Sequence, residues 1–177
     1  MTALPDPGSE GHSFRDLMGR WATGVSVVTA RDADRDAGLT VNALLSVSVT
    51  PPSLLISLAR DADTTPVVQH CGSFAVNFLA ADQRPLSERF AQALSPEEKF
   101  RDVPVHRGHT GAALLDGTLG AAECRVVAWT PQYDHVLIVG EVVHQELGRP
   151  GPPLLFYRSR YAQAAGNDQL HLPPPRG

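Results

Sequence analysis

Short β-branched runs separated by Gly and Pro dominate the chain, and helical periodicity surfaces in only a few places. After Ser13, apolar residues at Phe14, Leu17, Met18 and Trp21 keep the i, i+3, i+4, i+7 spacing of one helix face. That spacing predicts a short helix packed on a core and closed at Gly24. Val25 to Ala30 reads as a strand, and the charged RDADRDAG segment after it as a hairpin turn. Leu39 to Val49 reads as strand, loop, strand, stopped by Pro51-Pro52. Leu54–Leu58 and Phe74–Leu79 have strand length. Between them Thr64, Thr65 and Pro66 open a helix by hydroxyl capping, and Gly72 closes it. Asp82 caps a helix running through Phe90, and Ser95-Pro96-Glu97-Glu98 begins one more turn. Val103 to Gly111 reads as loop. Leu119–Trp129 and His135–Glu146 are long strands joined by a turn at Pro131-Gln132-Tyr133, and Leu154–Tyr157 is a last strand.

About seven strands and three or four short helices follow, without β-α-β alternation. That pattern favours an antiparallel barrel with peripheral helices over a doubly wound sheet. Val25, Val27, Leu55, Val76, Val126, Ile138 and Val142 are the expected core. Residues 1–12, rich in Pro, Gly and acidic groups, and residues 162–177, ending in QLHLPPPRG, are expected to be mobile tails around a domain at 13–161.

Composition narrows the function. A chain of 177 residues with 42% hydrophobic and 19% charged residues builds one core without staples. Clean apolar runs stop at four residues, as at Val136–Val139, so no membrane-spanning helix is expected. The start has no basic region followed by an apolar stretch, so a cytoplasmic protein is the expectation. A net charge of −4 argues against a nucleic-acid partner. Cys71 and Cys124 support neither a disulfide framework nor a four-ligand zinc site, and both read as small core residues. His106 and His109 form H-x-x-H in a Gly-rich loop with no third ligand nearby in sequence, so no metal site is expected. Dinucleotide, phosphate-loop, zinc-protease and nucleophile-elbow motifs are all absent.

The densest polar-within-apolar stretch is GLTVNALLSVSVTPP. On a continuous strand its Thr40, Asn42, Ser46 and Ser48 would share one face. Such a row suits a ligand rich in hydrogen-bonding groups, and equally an ordinary solvent face.

This stretch resembles the flavin-site segment of the flavin-reductase-like family of FMN-binding split barrels. The resemblance continues in order along the chain: FRDLMGRWATGVSVVTA, FAVNFLAADQRPLSERFA, EKFRDV, LLDGTLGAAECRVV, DHVLIVGEV and LLFYRSRY each match a family segment, over roughly residues 14–161. It implies a six-stranded antiparallel split barrel with added helices, usually a homodimer. It implies reduction of FMN or FAD by NADH or NADPH, commonly to supply reduced flavin to a separate monooxygenase. Alternatives are a flavin carrier or sensor without reductase activity, and a split-barrel oxidase acting on an organic substrate.

By residue, the resemblance places flavin contacts at Thr40, Val41, Asn42, Ala43, Ser46 and Val47, and at Ser57, Leu58 and Ala59. Thr64 and Thr65 would meet a phosphate at the helix start or simply cap it. Lys99, the only lysine, would contact phosphate or flavin or remain a solvated charge, and Phe100 would wall the site or pack. His135 is the catalytic-site candidate, orienting the nicotinamide unless it is only a structural partner of Asp134. Tyr161 is a further cofactor contact. The chain departs from the family pattern at Tyr133 (usually Gly), Leu44-Leu45 (usually Phe-Thr) and Ala62 (usually Ser).

Overall fold

The computed structural model describes residues 13–164. In chain order the elements are α1 (Phe14–Met18), β1 (Thr23–Gly24), β2 (Ser26–Asp32), β3 (Arg35–Val41), β4 (Leu44–Val49), β5 (Pro52–Ala59), α2 (Thr64–Cys71) and β6 (Ser73–Phe78). A 3-10 turn at Ala81–Gln83 leads into α3 (Arg84–Phe90), α4 (Pro96–Phe100), β7 (Val105–Arg107), β8 (Ala113–Leu115), β9 (Gly120–Gln132), β10 (His135–Leu147), β11 (Leu154–Tyr157) and β12 (Arg160–Gln163).

Seven strands form one antiparallel sheet in the order β3-β2-β6-β9-β10-β5-β4. Its two edge strands, β3 and β4, are consecutive in sequence. Only Asn42 and Ala43 lie between them, a span of at most roughly 11 Å. The sheet therefore curls until its edges nearly meet, and the seam of the resulting barrel is Asn42-Ala43. The Ser57 N–H donates to the Ala43 carbonyl at 3.2 Å, which ties the seam to β5. A three-stranded sheet, β1-β11-β12, and the β7-β8 hairpin close the remaining sides.

The core follows from alternation. Inward residues of β2, β5, β6, β9 and β10 (Val28, Ile56, Phe74, Val76, Cys124, Ile138) form one cluster. Asn77, fully buried, donates to the Val27 carbonyl at 3.1 Å and accepts from the Leu115 N–H at 2.8 Å. It joins β6 to β2 and β8, so the Asn of the FAVNF motif is spent on the scaffold. Burial pushes the Cys124 thiol up to about 12, and the Cys71 thiol donates to the Ser73 carbonyl at 3.1 Å. The short helices are fixed by their ends. Ser13 with Asp16, and Ser95 with Glu98, form capping boxes, and Gly72 closes α2 at φ +67°.

Several expectations need correction. The helix at Ser13 ends at Met18, and its apolar face does not enter the core: Phe14 and Trp21 are each 70% exposed. Periodicity identifies an apolar stripe without saying what covers it. Of the expected core residues, Leu55 is only half-buried and faces a cleft, and Val126 and Val142 are half-buried and pack against the core from outside it. The stretch 103–111 is not all loop, because β7 pairs with β8. Pro131 and Gln132 belong to β9, which leaves Tyr133-Asp134 as the turn. The Thr64 and Thr65 hydroxyls do not cap α2; its N-cap is Asp63, with no side-chain hydrogen bond. Strand β12 continues to Gln163, past the expected boundary at 161. The segments 1–12 and 165–177 lie outside the described residues.

Candidate functional site

A cleft of about 1000 Å³ opens beside the barrel seam. One wall is the seam and its neighbours: Asn42, Ala43, Leu44 and Leu45, with Leu55 and Ser57 on β5. The other is α1 and the chain after it: Phe14, Met18, Trp21 and Thr23. Leu79, Leu119 and Leu154 form the floor, and His135 stands at the rim. The lining is mostly apolar, and its polar side chains include Thr23, Ser26, Asn42, Ser57 and His135. A flat aromatic ligand with a hydrogen-bonding perimeter fits that distribution.

One polar atom is left over. The Thr23 hydroxyl is buried at the cleft wall and makes no hydrogen bond to the described residues. A buried hydroxyl without a partner costs about 1–3 kcal/mol, so its place beside the cleft marks where a ligand acceptor or donor would be rewarded. An isoalloxazine ring, apolar on its faces and polar along its edges, suits this cleft.

His135 opens β10 opposite Ala59 of β5. Its ring Nδ1 lies 2.9 Å from Asp134 Oδ1, and that hydrogen bond holds the Asp134 carboxyl below the usual range. The ring thus bonds Asp134 and also lines the cleft. Tyr133 occupies the hairpin turn at φ +52°, a conformation that favours glycine. Its side chain is 94% exposed and does not line the cleft, so it does not close a path to His135. The Arg60 guanidinium donates to the Tyr133 carbonyl at 3.3 Å and supports the turn.

Of the residues singled out from the sequence, the structure brings Asn42, Ala43, Ser57 and His135 together in this cleft. Ala59 adjoins it through its pairing with His135. The others lie elsewhere. Thr40 donates to the Ser87 carbonyl at 2.7 Å, and Val41 is buried. Both border a smaller pocket of about 200 Å³ with Tyr161, whose hydroxyl lies 2.9 Å from Ser87 Oγ. Ser46 faces a groove beside β10, Val47 is exposed, and Leu58 is core. Thr64 and Thr65 are buried, and the Thr65 hydroxyl donates to the Ala59 carbonyl at 2.7 Å. Lys99 is buried and donates to the Gly38 carbonyl at 3.1 Å. Burial lowers its ammonium pKa despite the opposing charge of Asp63. Phe100 packs edge-on against Phe90, with ring centroids 5.0 Å apart. The even spacing of Thr40, Asn42, Ser46 and Ser48 does not make one face, because the strand breaks at the seam. The residues that sequence reasoning missed are Phe14, Met18, Trp21 and Thr23. Phe14, Met18 and Trp21 are signalled by an apolar stripe that reads as core, whereas nothing in the local sequence signals Thr23.

Residues 18–165 match the family described as the flavin reductase like domain, and the chain belongs to that family. Among curated relatives, it is 38% identical to the actinorhodin polyketide dimerase of Streptomyces coelicolor, covering 84% of each chain. It is 36% identical to the reductase component of the FADH(2)-dependent resorcinol hydroxylase of a Rhizobium species, covering 90% of each. It is 39% identical to FMN reductase (NADH) SmoA of Agrobacterium fabrum, covering 85% of this chain and 84% of that one. Among solved structures, the NADH:FAD oxidoreductase SgcE6 of Streptomyces globisporus, in complex with NAD and FAD fragments, superposes with a TM-score of 0.84 at 29% identity. That match covers 95% of this chain and 100% of SgcE6.

Proposed function

We propose that this protein is an NADH- or NADPH-dependent flavin reductase that hands reduced FMN or FAD to a separate monooxygenase. The observation that carries this reading is the cleft: a mostly apolar lining of about 1000 Å³, with Asn42 and Ser57 beside the barrel seam and His135 among its polar residues. Family membership and relatives named as NADH-dependent FMN reductase and as a hydroxylase's reductase component support it. Flavin, when bound, supplies the hydride acceptor, so the chain itself needs no nucleophile. Its residues bind, orient and exclude water. In the cleft Leu44, Leu45, Leu55 and Trp21 would shield a bound flavin from water, and Asn42, Ser57 and the seam backbone would supply its hydrogen bonds. His135, steadied by Asp134, orients the nicotinamide carboxamide.

Exposed Phe14, Leu17, Met18 and Trp21, together with Leu45, Val47 and Val49 on the edge strand β4, support a homodimer. Pairing there would cover both an apolar surface and an open sheet edge. Light scattering is expected to give twice the chain mass at micromolar concentration; a monomer mass rejects this part of the reading. No helix among the described residues is long and apolar enough to cross a membrane.

The decisive assay mixes protein, NADH and excess FMN and follows nicotinamide absorbance, then repeats with NADPH and with FAD. Flavin-dependent consumption of the reduced nicotinamide is expected. Flavin binding without it leaves a carrier or sensor. The relative named as a polyketide dimerase favours one second reading, chemistry on an organic substrate, and the same absence of nicotinamide consumption would point there. Asn42→Asp should weaken flavin binding at least tenfold, about 1.4 kcal/mol, by setting a carboxylate against an electron-rich ring edge. Unchanged affinity with an intact fold would remove the seam from the site.

A further inference from the structure

Strand β10 carries a second histidine far from the cleft, and an irregularity in the sheet aims it. Between Val142 and His144 the β9–β10 ladder slips by one residue: Val142 pairs with Cys124 and His144 with Glu123. Val143 is the extra residue, pushed out to 41% exposure. Without the bulge, Val143 would sit opposite Glu123. With it, an imidazole does, and re-aiming a side chain is what bulges accomplish.

Glu123 is fully buried and held by a loop built around it. Its Oε2 accepts from the His109 N–H at 2.8 Å, and its Oε1 accepts from the Thr110 N–H at 2.7 Å and the Thr110 hydroxyl at 2.6 Å. Gly108 is obligatory beside it, because a Cβ there would lie 2.0 Å from Oε2. Burial raises the carboxyl pKa, but the hydrogen bonds from Thr110 and His109 outweigh it and hold it below the usual range. The His109 ring turns toward the same oxygen, with Nδ1 3.8 Å from Oε2, and its centroid lies 4.5 Å from that of His144. One ligand atom from each of the three residues falls within 4.8 Å of the others. Among the described residues, no ring nitrogen of His109 or His144 makes a hydrogen bond. His106, on the same loop region, differs: its Nδ1 meets Asp116 at 2.8 Å and its Nε2 meets Glu146 at 3.2 Å.

We propose that His109, Glu123 and His144 bind a divalent first-row transition cation, with zinc the best match to the donor set. Two imidazoles and one carboxylate suit zinc, whereas magnesium and calcium require oxygen-rich shells. Around a tetrahedral zinc the ligand atoms stand roughly 3.3–3.5 Å apart, so the 3.8 Å separation of His109 Nδ1 and Glu123 Oε2 closes with a small turn of the exposed His109 ring. The carboxylate is already fixed by three donors, and only the imidazoles must settle. The sequence hid this site because the third ligand comes from another strand: His109 is in the loop before β8, Glu123 in β9 and His144 in β10. His144 lies nine positions along β10 from His135, roughly 30 Å. The cation therefore braces the 108–111 loop against the sheet and takes no part in flavin reduction, so this proposal stands independently of the function proposed above.

The test uses the full chain, stripped with EDTA and returned to chelator-free buffer, with zinc chloride titrated by calorimetry. One zinc per chain at micromolar affinity or tighter is expected, together with a rise in melting temperature. Cobalt chloride should give visible absorption bands of a low-coordinate site. His109→Ala and His144→Ala should each weaken zinc binding at least tenfold, while His106→Ala and His70→Ala leave it unchanged. Circular dichroism verifies that each variant is folded. Zinc binding weaker than millimolar overturns the proposal. So does equal affinity in the His109 and His144 variants, which would place the metal on other histidines, and so does magnesium or calcium binding as tightly as zinc.

Discussion

The two ends of β10 each present a histidine, and they are built in opposite ways. At the start of the strand, His135 is half-exposed, leans on an exposed Asp134 and borders an open apolar cleft with an unpartnered hydroxyl. Near the other end, His144 faces a fully buried carboxylate held by three donors and enclosed by a loop with no room for a Cβ. The first end leaves polar and apolar groups unsatisfied within the chain, which is how a ligand site looks before its ligand is counted. The second is closed around a carboxylate fixed by three donors, which is how a fold secures a loop, and only its two imidazoles are left without hydrogen bonds among the described residues. One strand thus joins a region where stability is withheld to a region where it is concentrated.

The largest expected effect tests the open end. His135→Ala should lower kcat/KM for reduced nicotinamide ten- to a thousandfold, about 1.4–4 kcal/mol of lost positioning, without abolishing turnover. Flavin affinity and urea midpoint should stay near the parent's. Parent-like turnover would deny His135 its role, and lost flavin binding would move it into the flavin site.

Next in size is the closed end. Glu123→Gln replaces an acceptor with an amide donor facing N–H and O–H donors, and should cost about 3 kcal/mol of stability by urea unfolding. Turnover per folded molecule should be unchanged. A variant as stable as the parent would show that the buried carboxylate does not hold the loop.

A smaller change should move the two properties apart. Thr23→Val keeps the shape and β-propensity of the residue but removes the orphan hydroxyl, so the ligand-free protein should gain about 1 kcal/mol while flavin affinity falls. A loss of stability would mean that the hydroxyl has a partner within the fold.

The smallest effect is on pH. His106 is raised above 6.5 by its hydrogen bonds to Asp116 and Glu146 and is largely exposed. A raised folded pKa stabilises below the unfolded value and is lost as pH climbs past the folded one, so stability should fall by a few tenths of a kcal/mol from pH 6.5 upward after solvent screening. His106→Gln should flatten that slope. Glu123 has the opposite sign: its depressed pKa stabilises above 4.5 and is lost as pH falls through the lower folded value, so acid should loosen the closed end. An acid limb unaltered by Glu123→Gln would contradict this.

Much of this was legible in the sequence. Period-two alternation with Gly/Pro punctuation gave the antiparallel strands, because a strand's faces are set residue by residue. The ordered family segments gave Asn42, Ala43, Ser57 and His135, which share the cleft. Other readings went astray where a local pattern did not specify its neighbour. Phe14, Leu17, Met18 and Trp21 form a helix-like stripe whether core, ligand or partner covers it. Thr40 and Lys99 look like ligand contacts until the fold turns them onto the Ser87 and Gly38 carbonyls. The polar row from Thr40 to Ser48 would share a face only on an unbroken strand, and the barrel seam breaks it.

The sequence by itself determined the strand repertoire, the capping boxes at Ser13 and Ser95, the turn at Gly72 and the family, since each depends on residues close along the chain or on their order. Tertiary structure alone decided where the barrel seam falls, that α1 lines a cleft, and that a one-residue slip sets His144 against Glu123. Those outcomes depend on how strands distant in sequence register against one another. A shift of one residue exchanges the two faces of a strand, and nothing in the local sequence records it.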